Sequence, residues 1–178
     1  MRNLFILHLP LKEPSEIIHY NETIINRVQQ AKISPYLSSK EAKIIKDVFD
    51  DAPLAIWRLE DDKLNREKFE KLNYGDEILI VEEDMIKFMG KIVITTDNYD
   101  LSKLLWPDYS GKNRKFNLIF IIFDLVPIDL PFYKLAKYFG YSEDWIPDGL
   151  TLIPHEKMQS QKLEEGGIYR LLWRMKEK

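Results

Sequence analysis

Apolar positions along this chain fall partly in short unbroken runs and partly at helical spacing, and the alternation predicts strands mixed with helices. Residues 3–9 read as a first strand that Pro10 ends. Ile17, Ile18, Ile24, Ile25 and Val28 then recur at helical spacing, with Ser15 as a capping residue, until Pro35 breaks the pattern. Ser38-Ser39-Lys40-Glu41 is a capping-box sequence, in which a serine oxygen and a glutamate carboxylate satisfy backbone donors at a helix start. Behind it, Ala42, Ile45, Val48 and Phe49 supply one apolar helix face. Residues 54–59 predict a short strand that carries Trp57, and residues 65–72 a short helix. The turn Tyr74-Gly75-Asp76 precedes a strand over 77–81. A long strand follows over 85–95, where Gly90 marks a bulge or a close backbone approach. Residues 101–105 form a helical turn leading into Trp106, and the nearly all-apolar stretch 116–123 predicts a central strand. Pro131 and Gly140 bracket one more helix, and 150–153 is a late strand. The tail from Ile168 fits a helix through Ile168, Leu171, Leu172 and Met175, or a closing strand.

Strands joined by short turns, with helices at the margins, indicate an α+β fold around a small, curved or barrel-like mixed sheet. No internal repeat or low-complexity linker interrupts the chain. Its 178 residues suit a single domain, 1–178, with a helical insertion at about 14–50.

Composition narrows the function classes. With no cysteine, disulfides and thiolate metal sites are excluded. The longest apolar stretch, 118–123, is far too short to span a bilayer, and the N-terminus does not read as a signal peptide, so a cytoplasmic location is expected. The net charge of −3 argues against a non-specific nucleic-acid coat, which needs a strongly basic surface. A local basic run, Lys112, Arg114 and Lys115, nevertheless stands just after Trp106.

Most catalytic signatures are missing. The histidines, His8, His19 and His155, show no HExxH pairing and read as isolated surface or packing residues. Gly111-Lys112 is followed by Asn113 and lacks the rest of a phosphate loop, and no serine or cysteine nucleophile motif is present. One permissive pattern, Asp50 or Asp51 followed by Asp61-Asp62-Lys63, resembles the acidic pair and lysine of metal-dependent nucleases, but with 29 acidic residues chance matches are expected and a solvated turn is the simpler explanation.

Trp57 and Trp106 each sit where an element gives way to a charged stretch. They are either half-buried packing residues or the walls of a slot for a flat ligand such as a nucleic-acid base.

The order of these pieces bears on that choice. Ala55-Ile56-Trp57, then Gly75-Asp76-Glu77-Ile78-Leu79-Ile80, Phe88-Met89-Gly90-Lys91-Ile92-Val93, Leu105-Trp106 before a basic loop, and Lys115-Phe116-Asn117-Leu118-Ile119-Phe120 running into Asp124-Leu125-Val126-Pro127 follow one another over about half the chain. Together they resemble the YTH and EVE domains of the PUA-like superfamily. Leu104-Leu105-Trp106-Pro107-Asp108 looks most like the N-terminal module of McrB-type restriction GTPases. The resemblance implies a binding domain rather than an enzyme, with no cofactor and no metal. It implies that double-stranded DNA with a modified base, most simply N6-methyladenine, is bound by flipping the base into an aromatic cage. By that resemblance Trp57 and Trp106 are cage walls, with Tyr109 as a third, and Asp47 and the backbone of Arg58 meet the base edge. Lys112, Asn113, Arg114 and Lys115 would hold the DNA backbone. The expected partners are a fused AAA+ GTPase motor and a nuclease subunit of a modification-dependent restriction system. A PUA-like reader of methylated RNA and a reader of modified cytosine are the alternatives.

Overall fold

The computed structural model describes residues 2–107, 114–160 and 167–177. The chain divides into two compact units. One comprises Met1–Pro10, Asp76–Gly90 and Asp124–Lys178, and the other Leu11–Gly75 and Lys91–Phe123.

In the first unit, β1 (Leu4–Leu9) pairs in parallel with β3 (Glu77–Glu82), Leu4 opposite Glu77, and antiparallel with β6 (Leu150–Leu152), Phe5 opposite Leu152. Leu4, Phe5, Ile6 and Leu7 are all buried, as expected of a strand covered on both faces. The buried carboxylate of Asp76 pins the register. It accepts the backbone N–H of Asn3 at 3.0 Å and the Asn3 side-chain amide at 3.0 Å. Helix α6 (Phe132–Tyr138) follows Pro131, and Gly140 turns the chain behind it with φ +73°. The ambiguous tail is helical: α8 (Gly167–Lys176) buries Ile168 and Leu172 against a core that includes Leu4, Ile6, Leu79 and Phe132. The short helix α7 (His155–Ser160) precedes it.

In the second unit, α1 (Pro14–Tyr20) starts two residues earlier than expected. Pro14 opens it and Glu13 occupies the N-cap, so Ser15 is inside the helix and caps nothing. The helix runs into a π-helical turn, Asn21–Ile25, and stops well before Pro35, because Arg27 adopts φ +63°. Val28, expected on the helix, instead forms an antiparallel bridge with Leu54. After α2 (Gln30–Ile33) and a 3-10 turn at Ser34–Tyr36, the capping box is present at the start of α3 (Ser39–Phe49). The Glu41 N–H donates to Ser38 Oγ at 3.2 Å, and the Ser38 N–H donates to Glu41 Oε2 at 2.8 Å. We expect Ser38→Ala to lower stability by about 1 kcal/mol in urea denaturation, the usual effect of losing such a cap.

Strand β2 (Ala55–Leu59) pairs antiparallel with β5 (Leu118–Pro131), Trp57 opposite Phe120. Helix α4 (Lys63–Phe69) begins and ends earlier than expected, because Asp62 caps it by accepting the Asn65 N–H at 2.8 Å. β4 (Met85–Asp97) runs unbroken through Gly90. Asn98 then caps α5 (Tyr99–Leu105), accepting the Leu101 N–H at 2.9 Å. The strand order is β2-β5-β4-β3-β1-β6, with β4 and β5 passing through both units. No helix among the described residues is long and apolar enough to cross a membrane.

Candidate nucleic-acid interface

Trp57 lies mid-way along β2, and Trp106 is the residue that ends α5. The Trp106 backbone leaves the helical region with ψ 66° while its N–H still donates to the Ser102 carbonyl at 2.8 Å. The two indoles meet with ring centroids 6.5 Å apart and planes at 74°. They are 4% and 1% exposed. The geometry is therefore an edge-to-face contact inside the second unit, not a pair of open parallel walls.

Arg58 fills the space that these rings face. Its Cζ lies 4.5 Å from the Trp57 centroid and 4.6 Å from that of Trp106, with Phe116 at 5.3 Å. A buried guanidinium is tolerated only when its charge and its N–H groups are compensated. The aromatic faces supply the first compensation through their quadrupoles. His19 supplies part of the second: Arg58 Nη2 lies 2.9 Å from His19 Nδ1. Arginine only donates, so Nδ1 accepts, and His19 is the neutral tautomer with its proton on Nε2. His19 and Arg58 are 1% and 4% exposed. Tyr20, next to His19, packs its ring edge-on to Trp57 at 6.2 Å. The Trp106 Nε1–H is buried and has no hydrogen-bond partner among the described residues.

The structure thus brings Trp57, Trp106 and Arg58 together, and it adds His19, Tyr20 and Phe116. For His19 the only trace in the sequence is a polar residue within the apolar stripe of α1. Other expected site residues lie differently. Asp47 is on the exposed face of α3, paired one turn away with Lys43 at 2.6 Å. Arg114 makes a bidentate pair with Glu60, at 2.9 and 2.6 Å. The exposed Lys115 places Nζ 5.8 Å from the Tyr99 ring. Tyr109, Lys112 and Asn113 lie outside the described residues.

The acidic residues of the nuclease-like pattern are tied up in separate contacts. Asp50 and Asp51 hold Lys46, at 3.0 and 2.7 Å. Asp61 makes a two-pronged pair with Arg66, at 2.9 and 2.7 Å, and also accepts from the buried Asn117 amide at 3.0 Å. The same amide donates to Asp97, and Arg66 Nη2 reaches Asp97 at 2.9 Å. The Arg66 guanidinium holds the Asp61 carboxyl below its usual range; partial burial opposes this and Asn117 reinforces it. Because the Asp61 N–H also donates to the Lys115 carbonyl, this network ties the segment after β2 to the segment before β5. Among the described residues, no group of three acidic or histidine side chains could hold a metal ion.

With strand order and site in place, the architecture fits a PUA-like α+β fold. The chain is similar in structure to the N-terminal domain of McrB from Thermococcus gammatolerans, solved bound to m5C DNA. The TM-score is 0.63 and the identity 16%, over 89% of this chain and 94% of that one. No protein-family model matches the chain, and no curated protein matches it.

Proposed function

We propose that this chain binds DNA carrying a modified base and holds that base, flipped out of the duplex, against Trp57 and Trp106. The observation that carries the reading is the convergence of two indoles on one planar group, in a fold shared with a domain solved on methylated DNA. Flipping costs a few kcal/mol. Stacking on aromatic side chains returns roughly 1–3 kcal/mol per base, and a buried methyl adds about 0.8 kcal/mol. The methyl term is small, so discrimination needs a closed site that also excludes water. In this proposal Tyr109 serves as a third wall, Asp47 and the Arg58 backbone as base-edge contacts, and Lys112, Asn113, Arg114 and Lys115 as backbone contacts, with Asp47 and Arg114 exchanging their partners Lys43 and Glu60 for the DNA on binding. The chain acts as a non-catalytic specificity module, with the GTPase motor and nuclease of a restriction system on other domains or chains.

N6-methyladenine is the base this reading expects. The m5C DNA held by the similar McrB domain favours a second reading, in which the base is a modified cytosine. Fluorescence polarisation at one salt concentration decides between them, because salt alone changes affinity greatly. The probes are duplexes with N6-methyladenine, 5-methylcytosine, 5-hydroxymethylcytosine or no modification, and a methylated RNA of the same sequence. One modified duplex should bind at least about tenfold more tightly than the unmodified one, a difference of about 1.4 kcal/mol. Equal affinity for every duplex would overturn the proposal, and preference for the RNA would move the site to the PUA-like RNA readers.

A further inference from the structure

We propose that the Arg58 guanidinium is the resident occupant of the base site, and that a base binds by replacing it and taking over its hydrogen bond to His19. This rests on the modified-base reading and adds to it a displaced group, an acceptor and a class of base. Three observations lead to it. The guanidinium lies within 4.6 Å of both indole centroids, so no base can reach the ring faces it covers, to stack on one and meet the other at an angle, while it remains there. A guanidinium is flat, π-faced and carries N–H groups in its plane, which are the properties of a base edge. Its contacts are also the ones a base could inherit: two indole faces and the accepting Nδ1 of His19; the Trp106 Nε1–H, which the all-donor guanidinium cannot satisfy and which has no partner among the described residues, is a further donor for a base.

The chemistry of those groups selects the base. The guanidinium edge that faces His19 is an N–C–N unit with a donated N–H. Adenine and cytosine offer the matching amine beside an unprotonated ring nitrogen on the Watson–Crick edge, whereas the corresponding ring nitrogen of guanine carries a hydrogen. The amine donates to His19 Nδ1, and the ring nitrogen is an acceptor of the kind that Trp106 Nε1–H lacks. N6-methyladenine keeps one such N–H and 5-methylcytosine keeps two. Uracil and thymine carry a carbonyl at that carbon, so they would set an oxygen lone pair against the accepting nitrogen. Withdrawal of Arg58 is the same step for every base. It weakens binding of modified and unmodified bases alike and leaves the ratio between them to the rings and the methyl group.

The test is NMR of the full chain with isotope-labelled arginine. In the free protein the Arg58 side-chain signals should be displaced by the ring currents of Trp57 and Trp106. Saturation with the preferred modified duplex should return them to ordinary positions. A bound duplex with the Arg58 signals still displaced overturns the assignment. No binding by any modified duplex removes the modified-base reading, and this inference with it. Two variants test the acceptor. His19→Leu strips the hydrogen bond from the free protein as well as from the complex, so it is read as a ratio: the preference for the preferred duplex over one carrying 5-hydroxymethyluracil should fall about tenfold. His19→Gln, whose amide oxygen accepts, should stay within about threefold of the parent. Equal losses in the two variants would mean that His19 only packs. A duplex carrying 5-hydroxymethyluracil should bind no better than the unmodified one, and tighter binding would rule out selection by the amine.

Discussion

Trp106→Ala is expected to lower the stability of the second unit by about 3–5 kcal/mol, the usual range for deleting a buried tryptophan, and to abolish binding of modified duplex. The residue is 1% exposed and belongs to the same core cluster as Leu101, Leu105, Ile119 and Ile121. Its loss opens a cavity that rigid neighbours on α5 and β5 fill only in part. It also removes one of the two faces that compensate the buried Arg58. Urea denaturation followed by circular dichroism measures the first effect. Polarisation with the preferred duplex, at a urea-free temperature where the variant remains folded, measures the second. Trp106→Phe separates the two, since it keeps an aromatic face and most of the volume: stability should recover largely, and binding partly. If Trp106→Ala is as stable as the parent, the core assignment is wrong. If it is folded and binds normally, the base does not stack there.

The second large effect concerns Asn117. Its buried amide stands between the carboxylates of Asp61 and Asp97. Asn117→Leu deletes the donor and leaves Arg66 as the remaining partner they share. The expected loss is about 1–3 kcal/mol at neutral pH, as for buried polar groups stripped of a partner. The pH dependence has a definite sign. The carboxyl of Asp61 is lowered in the folded state, so its contribution is fully present above the unfolded value, near pH 4, and is lost as pH falls through the folded one. The parent should therefore weaken on acidification through and below about pH 4. In Asn117→Leu part of the lowering is gone, so the gap between parent and variant should narrow towards pH 3. A gap of the same size at pH 7 and pH 3 would show that Asn117 does not act through the carboxylates.

Much of the secondary structure is legible in the sequence because it rests on local signals. The apolar runs of β1, β3 and the first half of β5, the Ser38–Glu41 capping box, and the Pro131 and Gly140 brackets all appear where the pattern puts them. β5 is an instructive exception. The apolar run stops at Phe123, yet the strand continues to Pro131 through Asp124 and Asp129, whose φ angles are +53° and +54°. The strand goes on where aspartates and prolines interrupt the apolar run, and a reading of unbroken hydrophobic runs does not register that. The site shows a similar limit. The two tryptophans mark an aromatic site, although Trp57 sits mid-strand rather than at an element end, and which planar group lies against them depends on a histidine from α1 and an arginine next in sequence to one of the rings. Arg114 illustrates the same point. As one of a basic run it reads as a phosphate contact, while in the structure it forks onto Glu60.

The pairing of β1 also constrains how the chain can be made. As synthesis proceeds, Leu4–Leu9 leaves the ribosome before either of its neighbours, for its parallel partner Glu77–Glu82 and its antiparallel partner Leu150–Leu152 lie far downstream. Every residue of the second unit has been added by Phe123, so that unit can collapse while the first still lacks β6, α7 and α8. A largely apolar strand therefore waits with both edges open until β3 is made, and with one edge open until β6 follows, a delay that favours slow closure and association with other nascent chains. The opening residues of this chain are thus the ones that most need shielding during synthesis.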